Sequence, residues 1–288
     1  MAGRVAVVTD STAYLPADIV SAMGIRVVAL PVLIGTRAGA EGIDVTPAEV
    51  ASALLDRRSP VTTSRPAPAD FAGAYAEAFR AGASSVLSVH LSGELSGTWQ
   101  SAAVAAKDAA GEVRVLDSRS TAMGLGFAVM AAAQVAAAGG SVEAVAAAAR
   151  DCVERTTMMF YVDTLEYLRR GGRIGATAAL LGTALSVKPI LHLVDGGIVL
   201  LEKVRTAGRG LTRLEELTVD SAGDGPVDVA VHHLAAPQRA AAIADRLQAR
   251  LPALQRLLVA ELGAAVGAHV GPGVVGVVVV RAPAAAHK

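Results

Sequence analysis

The chain has 288 residues, 53% of them hydrophobic, which is enough for one large domain or two modest ones with a packed core. Lys plus Arg and Asp plus Glu each total 26, so the net charge is zero and gives no general attraction to nucleic acid or acidic membranes. The single cysteine, Cys152, excludes an internal disulfide, and we interpret it as a small buried side chain in a reducing cytosol.

Strand and helix patterns alternate through the first half of the chain. The segments predicted in order are a strand at 5–9, a helix after Pro16, a strand at 25–32, a helix from Thr46 to about Arg57, a helix after Pro68, a strand at 85–90, a helix from about Gly97, a strand at 113–116, a buried alanine-rich helix within 120–142 and a helix near Ser141. This alternation predicts an α/β architecture, a Rossmann-like parallel sheet with helices on both faces. A ligand crevice is expected at the carboxyl ends of its strands.

The pattern changes near residue 160, where strand-like runs begin to come in neighbouring pairs. Runs at 190–194 and 198–204 flank Asp195-Gly196-Gly197, which is typical of a hairpin. A helix over 208–217, a strand at 227–232, a helix over 237–250 and strands at 257–262 and 274–280 are predicted to follow. We therefore expect an N-terminal α/β domain over 1–160 and a C-terminal α+β domain with a mixed sheet over 161–288.

Two uncharged stretches, 120–142 and 263–280, are long enough to be considered as membrane spans. The first is dominated by Ala and Gly, and the second contains His269 and Pro272 and has only a strand-length apolar run. The N-terminus leads directly into an apolar strand followed by Asp10, without the apolar segment of a signal peptide. The expectation is a cytoplasmic protein with transient membrane contact or none.

Hydroxyl-bearing residues follow several predicted strands. Thr62-Thr63-Ser64-Arg65-Pro66 and Leu95-Ser96-Gly97-Thr98-Trp99 each stand where a strand gives way to a helix, and far downstream His269 lies in a segment that we interpret as a glycine-bounded turn. A carboxylate only accepts hydrogen bonds, so hydroxyls and an imidazole N–H are suitable partners for it. Helix capping is the alternative role for such hydroxyls, particularly for Ser11, Thr12 and Ser118.

These segments, together with Leu165-Glu166-Tyr167-Leu168-Arg169-Arg170-Gly171-Gly172-Arg173-Ile174, occur in the order and spacing found in the DegV family of bacterial fatty-acid-binding proteins. The resemblance begins at Val5-Val7-Asp10-Ser11-Thr12 and extends to the C-terminal strand, nearly the whole chain. It implies that the chain is a carrier, not itself a catalyst, which holds a long-chain fatty acid between its domains. It also implies a separate ATP-dependent fatty acid kinase as partner, which converts the acid to acyl-phosphate for phospholipid synthesis.

The resemblance also assigns roles to residues. Thr63, Ser96 and His269 are implied to hold the fatty-acid carboxylate, and Arg173 and Arg205 to lie near the carboxyl group or to serve the kinase. Further candidates for the ligand site are Ser11, Thr62, Ser64, Arg65, Ser92, Gly97, Thr98 and Ser118. The tail is expected in a tunnel lined by residues such as Met123, Leu125, Phe127, Leu180, Leu181 and Leu185, although core packing is the favoured role for each of them taken singly.

The sequence departs from the usual family pattern near this site. Arg65 stands where the family has glutamine and Ala67 where it has serine. Trp99 replaces a frequent tyrosine, and Gly93 stands where a second serine is common. These changes leave a fatty acid as the expected class of ligand, but they bear on which type of acyl chain is bound.

Two enzyme classes are alternatives. A serine hydrolase would use Ser96, His269 and Asp10 or Asp117, although Gly93-Glu94-Leu95-Ser96-Gly97 is not a G-x-S-x-G nucleophile elbow. A nucleotide-binding or phosphoryl-transfer enzyme, related to dihydroxyacetone kinase subunits, is the other, although Gly124-Leu125-Gly126 lacks the third glycine of a dinucleotide fingerprint.

Metal and DNA binding have little support in the sequence. His232 and His233 are neighbours on a predicted strand and point to opposite faces, so they are poorly placed to share one ion. The sequence contains no recognisable DNA-binding motif. We therefore expect no metal, no cofactor other than the bound fatty acid, and no nucleic acid partner.

Overall fold

A computed structural model describes residues 3–56, 59–174 and 187–283. Its first sheet has four parallel strands in the order β2-β1-β6-β7. The strands are β1 (Val5–Asp10), β2 (Arg26–Val28), β6 (Ser85–His90) and β7 (Glu112–Asp117). Helices α1 (Ala17–Ala22), α3 (Pro68–Arg80), α4 (Thr98–Ala106), α5 (Ala122–Ala137) and α6 (Val142–Glu154) accompany this sheet. The predicted α/β architecture is confirmed.

Strand β1 shows why both faces of this sheet are covered. Side chains alternate between faces along a strand, and β1 is buried throughout. Val5 and Val7 belong to the core that includes α5 and α6. Ala6 and Val8 pack on the other face with residues of α3 and α4. A continuous apolar run is therefore the expected sequence for this strand.

A small antiparallel sheet, β4-β3-β5, was not predicted from the sequence. It consists of β3 (Pro31–Ile34), β4 (Arg37–Ala40) and β5 (Val61–Thr63). The single strand predicted over 25–32 is wrong, because β2 and β3 belong to different sheets. Helix α2 (Pro47–Asp56) lies between β4 and β5 in the chain. It has the predicted capping box, in which Thr46 and Glu49 exchange hydrogen bonds.

The third sheet has six strands in the order β10-β9-β8-β13-β11-β12. Its members are β8 (Thr156–Tyr161), β9 (Lys188–Val194), β10 (Gly197–Val204), β11 (Val227–His233), β12 (Leu254–Glu261) and β13 (Val275–Arg281). Only β11 and β12 pair in parallel, so the sheet is mixed, as predicted. Helices α7 (Glu166–Gly171), α8 (Ala207–Ala222), α9 (Pro237–Arg250) and α10 (Ala264–Val270) complete the described helices.

Helix α5 lies between the two large sheets. It contacts β1 on one side and β13 on the other, and most of its residues are buried. Its Ala and Gly content lets both sheets approach closely, which explains why this uncharged segment is a core helix. No helix within the described ranges is long and apolar enough to cross a membrane.

One hydrophobic core joins the two large sheets. It contains Val5 and Leu87 of the four-stranded sheet together with Phe160 and Val278 of the six-stranded sheet. Strand β8 crosses residue 160, the predicted domain boundary. The division into 1–160 and 161–288 therefore stays a prediction.

Candidate functional site

A cavity of about 820 Å³, including its open mouth, is lined by residues of the small and six-stranded sheets and by residues that follow strands of the four-stranded sheet. About 70 Å³ of this space is open to the centre of a water molecule. The lining is mostly apolar, with Leu30, Leu91, Phe160 and Val274 among its members. The polar lining side chains are Thr12, Thr63, Ser64, Ser96, Thr121, Arg173, His232 and His269.

Thr63 and His269 meet at this cavity although more than two hundred residues separate them in the chain. Thr63 ends β5, and its Oγ1 lies 2.8 Å from Nε2 of His269 in a hydrogen bond. His269 lies in α10, so the predicted glycine-bounded turn is wrong for this residue. The turn comes after the helix, where Gly271 and Gly273 both have a positive φ. The small sheet and α10 thus bring two of the three predicted carboxylate-binding side chains into direct contact.

The imidazole of His269 is held from its other side by the backbone of α7. A Cβ atom on Gly171 would lie only 2.2 Å from Nδ1 of His269. No side chain fits between the Gly171 backbone and the imidazole. The ring can therefore occupy this place only because residue 171 is glycine. The sequence singled out the Gly-Gly-Arg segment but gave no signal for this contact.

Ser96, the third predicted carboxylate ligand, lies just before α4. Its Oγ is 2.9 Å from Oγ1 of Thr98 in a hydrogen bond, and Ser96 lines the same cavity as Thr63 and His269. Arg65 packs beside it, because a Cβ on Gly97 would lie 2.7 Å from Nη1 of Arg65. The arginine that replaces the usual glutamine therefore places a cation next to Ser96.

Arg173 also lines the cavity and is fixed by two backbone carbonyls. Its Nε donates to Leu95 O at 3.1 Å, and its Nη1 donates to Gly171 O at 2.6 Å. The guanidinium group thus joins the residue before Ser96 to the backbone that supports His269. Arg173 is placed by these bonds among all three predicted carboxylate ligands.

A second cavity of about 1,200 Å³ meets the first at these residues. Thr63, Arg173 and His269 line both cavities, and the second is also bordered by the exposed side chains of Thr62 and Arg170. Thr63, Arg173 and His269 therefore lie where a mostly apolar cavity adjoins a more polar one. A ligand with one polar end and a long apolar part matches this arrangement.

The two histidines that line the first cavity are neutral near pH 7. Burial, and then the charge of Arg173, lowers the pKa of His269 to about 4. Burial likewise lowers the pKa of His232 to about 4. His232 accepts from Met123 N at 3.1 Å with Nε2 and donates from Nδ1 to Ala260 O at 3.2 Å. Both of its ring nitrogens are thus occupied, whereas His269 bonds another side chain of the site.

Three further candidates have structural partners and are not among the residues lining either cavity. Ser11 donates to Glu41 and accepts from Leu30 N. Ser92 donates to Gly196 O at 2.8 Å and so ties the four-stranded sheet to the β9–β10 hairpin. Ser118 donates to Ser120 O within the turn before α5. Their hydroxyls close turns and join elements.

The remaining predicted residues fall in different places. Ser64 lines the first cavity, and Thr62 lines the second. Arg205 is exposed between β10 and α8 and lines neither. Met123, Leu125 and Phe127 pack in the core, the role favoured for each of them singly, and do not line the cavity, so the tunnel expectation does not hold for them. Leu180, Leu181 and Leu185 lie outside the described residues.

The hydrogen bonds do not assemble the serine hydrolase alternative. His269 bonds Thr63 and Ser96 bonds Thr98, whereas Asp10 accepts from His90 Nδ1 at 3.0 Å. Asp117 holds the backbone N–H of Gly93. Gly124 and Gly126 are buried inside α5 and do not form a phosphate-binding turn. Within the described ranges, no group of three or more His, Cys, Asp or Glu residues is arranged to hold a metal ion.

The family follows from the comparison with known proteins. The model of DegV family proteins, described as uncharacterised, matches residues 4–282. The chain belongs to the DegV family. A DegV domain-containing protein of Streptomyces coelicolor, SCO2569, is 55% identical over 279 residues, covering 97% of this chain and 99% of the relative. The DegV domain-containing protein Rv2417c of Mycobacterium tuberculosis is 40% identical over 276 residues, covering 96% of each.

Solved DegV structures share this architecture. A DegV family protein from Thermus thermophilus, described for its fatty acid binding, is 35% identical, with a TM-score of 0.91 and coverage of 97% of this chain and 100% of that one. DegV from Bacillus subtilis, described as a fatty acid binding protein, is 31% identical, with a TM-score of 0.90 and coverage of 98% and 100%.

Proposed function

We propose that this DegV protein is a cytoplasmic carrier of long-chain fatty acids. In this proposal the carboxylate is bound by Thr63, Ser96 and His269, and the acyl tail occupies the apolar part of the first cavity. The observation that carries the proposal is the hydrogen-bonded Thr63–His269 pair at the polar part of an otherwise mostly apolar cavity. The fatty acid binding of the Thermus and Bacillus relatives supports the same ligand class.

The chemistry of the polar group suits a carboxylate. The hydroxyls of Thr63 and Ser96 are donors, and so is the Nε2–H of neutral His269, which Thr63 Oγ1 and the ligand would share. A carboxylate offers only acceptors. Hydrogen bonds to a charged group contribute about 1.5–3 kcal/mol each. Arg173, fixed beside them, adds a favourable charge. The site can thus bind the anion without enclosing it in a strongly positive pocket.

The apolar cavity supplies most of the binding free energy. Burial contributes about 0.8 kcal/mol per methylene, so roughly fifteen methylenes give about 12 kcal/mol before association costs. Those costs are about 4–15 kcal/mol. The hydrogen bonds to the carboxylate then fix the orientation of the fatty acid in the cavity. Their free energy makes the difference between weak and tight binding. Carrying the tail in the cavity also keeps a poorly soluble chain out of membranes and micelles.

Fatty-acid titrations of the delipidated protein test this function. We expect Thr63→Val, Ser96→Ala and His269→Ala each to weaken binding about 10- to 100-fold, since each removes one hydrogen bond to a charged group. Ser141→Ala is the matched control, because Ser141 caps the distant helix α6 and lines neither cavity. Binding that is unchanged in all three site variants would contradict the proposed clamp.

We further propose that the bound acid is presented to a separate ATP-dependent fatty acid kinase, which forms acyl-phosphate for phospholipid synthesis. Arg173 lies where both cavities meet, next to the proposed carboxylate position. Arg205 is exposed and away from the cavities, so we assign it to the contact with the kinase. In this proposal the carrier supplies the substrate, and the catalytic groups belong to the kinase.

Reconstituted phosphorylation with and without Arg205 tests the kinase contact. Arg205→Ala is expected to slow acyl-phosphate formation at low carrier concentration while leaving fatty-acid affinity unchanged. Arg80→Ala, an exposed arginine at the end of α3, is the control. If Arg205→Ala is phosphorylated as fast as wild type, Arg205 has no role in that contact.

A further inference from the structure

A buried carboxylate holds the beginning of the helix that carries His269. Glu41 is only 5% exposed. Its Oε1 accepts from the backbone N–H of Ala265 at 2.6 Å and from the hydroxyl of Tyr14 at 3.1 Å. Its Oε2 accepts from the hydroxyl of Ser11. The carboxylate therefore joins the end of β1 and the end of β4 to the first turn of α10.

Tyr14 holds the next residue of the same helix. Its phenol oxygen accepts from Val266 N at 3.1 Å while its O–H donates to Glu41. The Tyr14 backbone has a φ of 47°, in the left-handed region that residues other than glycine rarely occupy. The buried carboxylate of Glu41 and the phenol of Tyr14, whose backbone is strained, thus bind two consecutive N–H groups of α10. Such features persist when the surrounding structure holds them in place.

The backbone N–H groups that Glu41 and Tyr14 bind belong to residues of the cavity wall. Ala265 and Val266 both line the first cavity, and His269 follows Ala265 by one helical turn. Helix α10 has only seven residues, a length that does not hold a helix in water by itself. Its position, and with it the place of the imidazole, therefore depends on what anchors its ends.

We propose that Glu41 and Tyr14 are positioning residues for His269. They fix α10 so that the imidazole reaches Thr63 and the carboxylate of the ligand, without touching the ligand themselves. Ser11 completes the anchor, because it donates to Glu41 and accepts from the N–H of Leu30, another residue of the cavity wall. This inference rests on the proposed function, since the ligand's carboxylate is what the placed imidazole binds.

Tyr14→Phe and Glu41→Gln test the proposal with two ligands, a long-chain fatty acid and its methyl ester. The ester keeps the tail and a neutral carbonyl acceptor but lacks the negative charge, so its binding depends much less on the placement of His269. We expect Tyr14→Phe to weaken acid binding about three- to tenfold, the size of one neutral hydrogen bond, and to leave ester binding within about twofold of wild type. Glu41→Gln keeps the size of the side chain but loses its charge and one acceptor, so we expect an equal or larger loss for the acid.

A double-mutant cycle with His269→Ala separates positioning from a general loosening of the fold. If Glu41 and Tyr14 act through His269, adding Tyr14→Phe to His269→Ala costs no further acid affinity. Glu215→Gln is the matched control, because Glu215 is also 5% exposed but is bonded to Arg246 and Arg250, and neither it nor these partners line the cavity. It is expected to leave both affinities unchanged.

The outcomes are distinct. Equal weakening for acid and ester, or fully additive losses with His269→Ala, would overturn the positioning role. Unchanged acid affinity in both Tyr14→Phe and Glu41→Gln would overturn it as well. If either variant fails to fold, Ser11→Ala, which removes the third donor to the Glu41 carboxylate and the acceptor for Leu30 N, is measured in its place with the same expectations. A wild-type protein that does not bind the acid at all would instead remove the proposed function.

Discussion

His269 is the residue on which the candidate site depends most. It is neutral because burial and the charge of Arg173 lower its pKa to about 4. It bonds Thr63 from one ring nitrogen and faces the backbone of Gly171 with the other. With its proton on Nε2, the neutral ring can share this one donor between Thr63 Oγ1 and the carboxylate, without the cost of a buried cation.

Gly171→Ala is expected to displace His269 and to weaken fatty-acid binding by at least about tenfold, the loss of one charge-assisted hydrogen bond. The added methyl group would overlap Nδ1 of the ring. Gly73→Ala is the matched control, because Gly73 also lies in a helix but has no atom within 4 Å of an added Cβ. Titration of both variants checks the expectation, and unchanged affinity in Gly171→Ala would show that binding does not depend on this placement of the ring.

Arg65 is expected to strengthen carboxylate binding through its charge. Its guanidinium packs over Gly97 beside Ser96, in a position exposed to solvent. Arg65→Gln, the usual residue of the family, is expected to weaken binding about two- to fivefold at low salt, because exposed ion pairs contribute about 0.2–1 kcal/mol. The difference should vanish at high salt. A salt-independent difference would mean that Arg65 acts through packing.

His232 is expected to make folding stability fall as the pH falls. Its folded pKa of about 4 is below the ordinary 6.5, so the unfolded chain takes up a proton between these values and the folded chain does not. The contribution is fully present above pH 6.5 and decreases toward pH 4, by on the order of 3 kcal/mol. Denaturant unfolding of wild type and His232→Gln across this range measures it. Equal pH slopes in the two proteins would contradict the assignment.

At the scale of elements, β13 forms part of the cavity wall. Phe160, Gly276 and His232 are neighbours across β8, β13 and β11, and all three line the cavity. A Cβ on Gly276 would lie 3.4 Å or more from its neighbours, so a side chain there fits the sheet. Gly276 therefore leaves space that a larger residue would fill.

Gly276→Val is expected to fold normally and to lose affinity for the longest fatty acids. Excluding two or three methylenes from the cavity costs about 2 kcal/mol, roughly a 30-fold loss, while shorter acids keep most of their affinity. Gly276→Ala should lie between wild type and Gly276→Val. Titration with a series of chain lengths checks this, and an equal loss at every length would place the tail elsewhere.

The elements differ in how well the sequence predicts them. Continuous valine-rich runs predict β1, β6 and β13, and the capping box at Thr46 predicts α2, because those signals are local. Strands β3, β4 and β5 have three or four residues each, too few for a periodic pattern, and the pairing of β3 with β5 joins distant segments. Helix α10 is short and contains a glycine, so its segment resembles a turn until Glu41 and Tyr14 are seen to anchor it.

At the scale of the whole molecule, the site exists only where the three sheets meet. Thr63 comes from the small sheet, Ser96 follows the four-stranded sheet, and Phe160 and Gly276 belong to the six-stranded sheet. The resemblance to a family supplied Thr63, Ser96 and His269, and the structure gathers them around one cavity. It did not supply Gly171, Glu41 or Tyr14, because their contacts depend on the packing of elements distant in sequence.

Native mass spectrometry of the purified protein, followed by extraction and identification of the released lipid, tests the carrier proposal most directly. We expect one long-chain fatty acid per wild-type chain, and depletion of that ligand in Ser96→Ala and His269→Ala. The same spectra report the preferred chain length. An empty wild-type protein that also fails to take up added fatty acid would contradict the account.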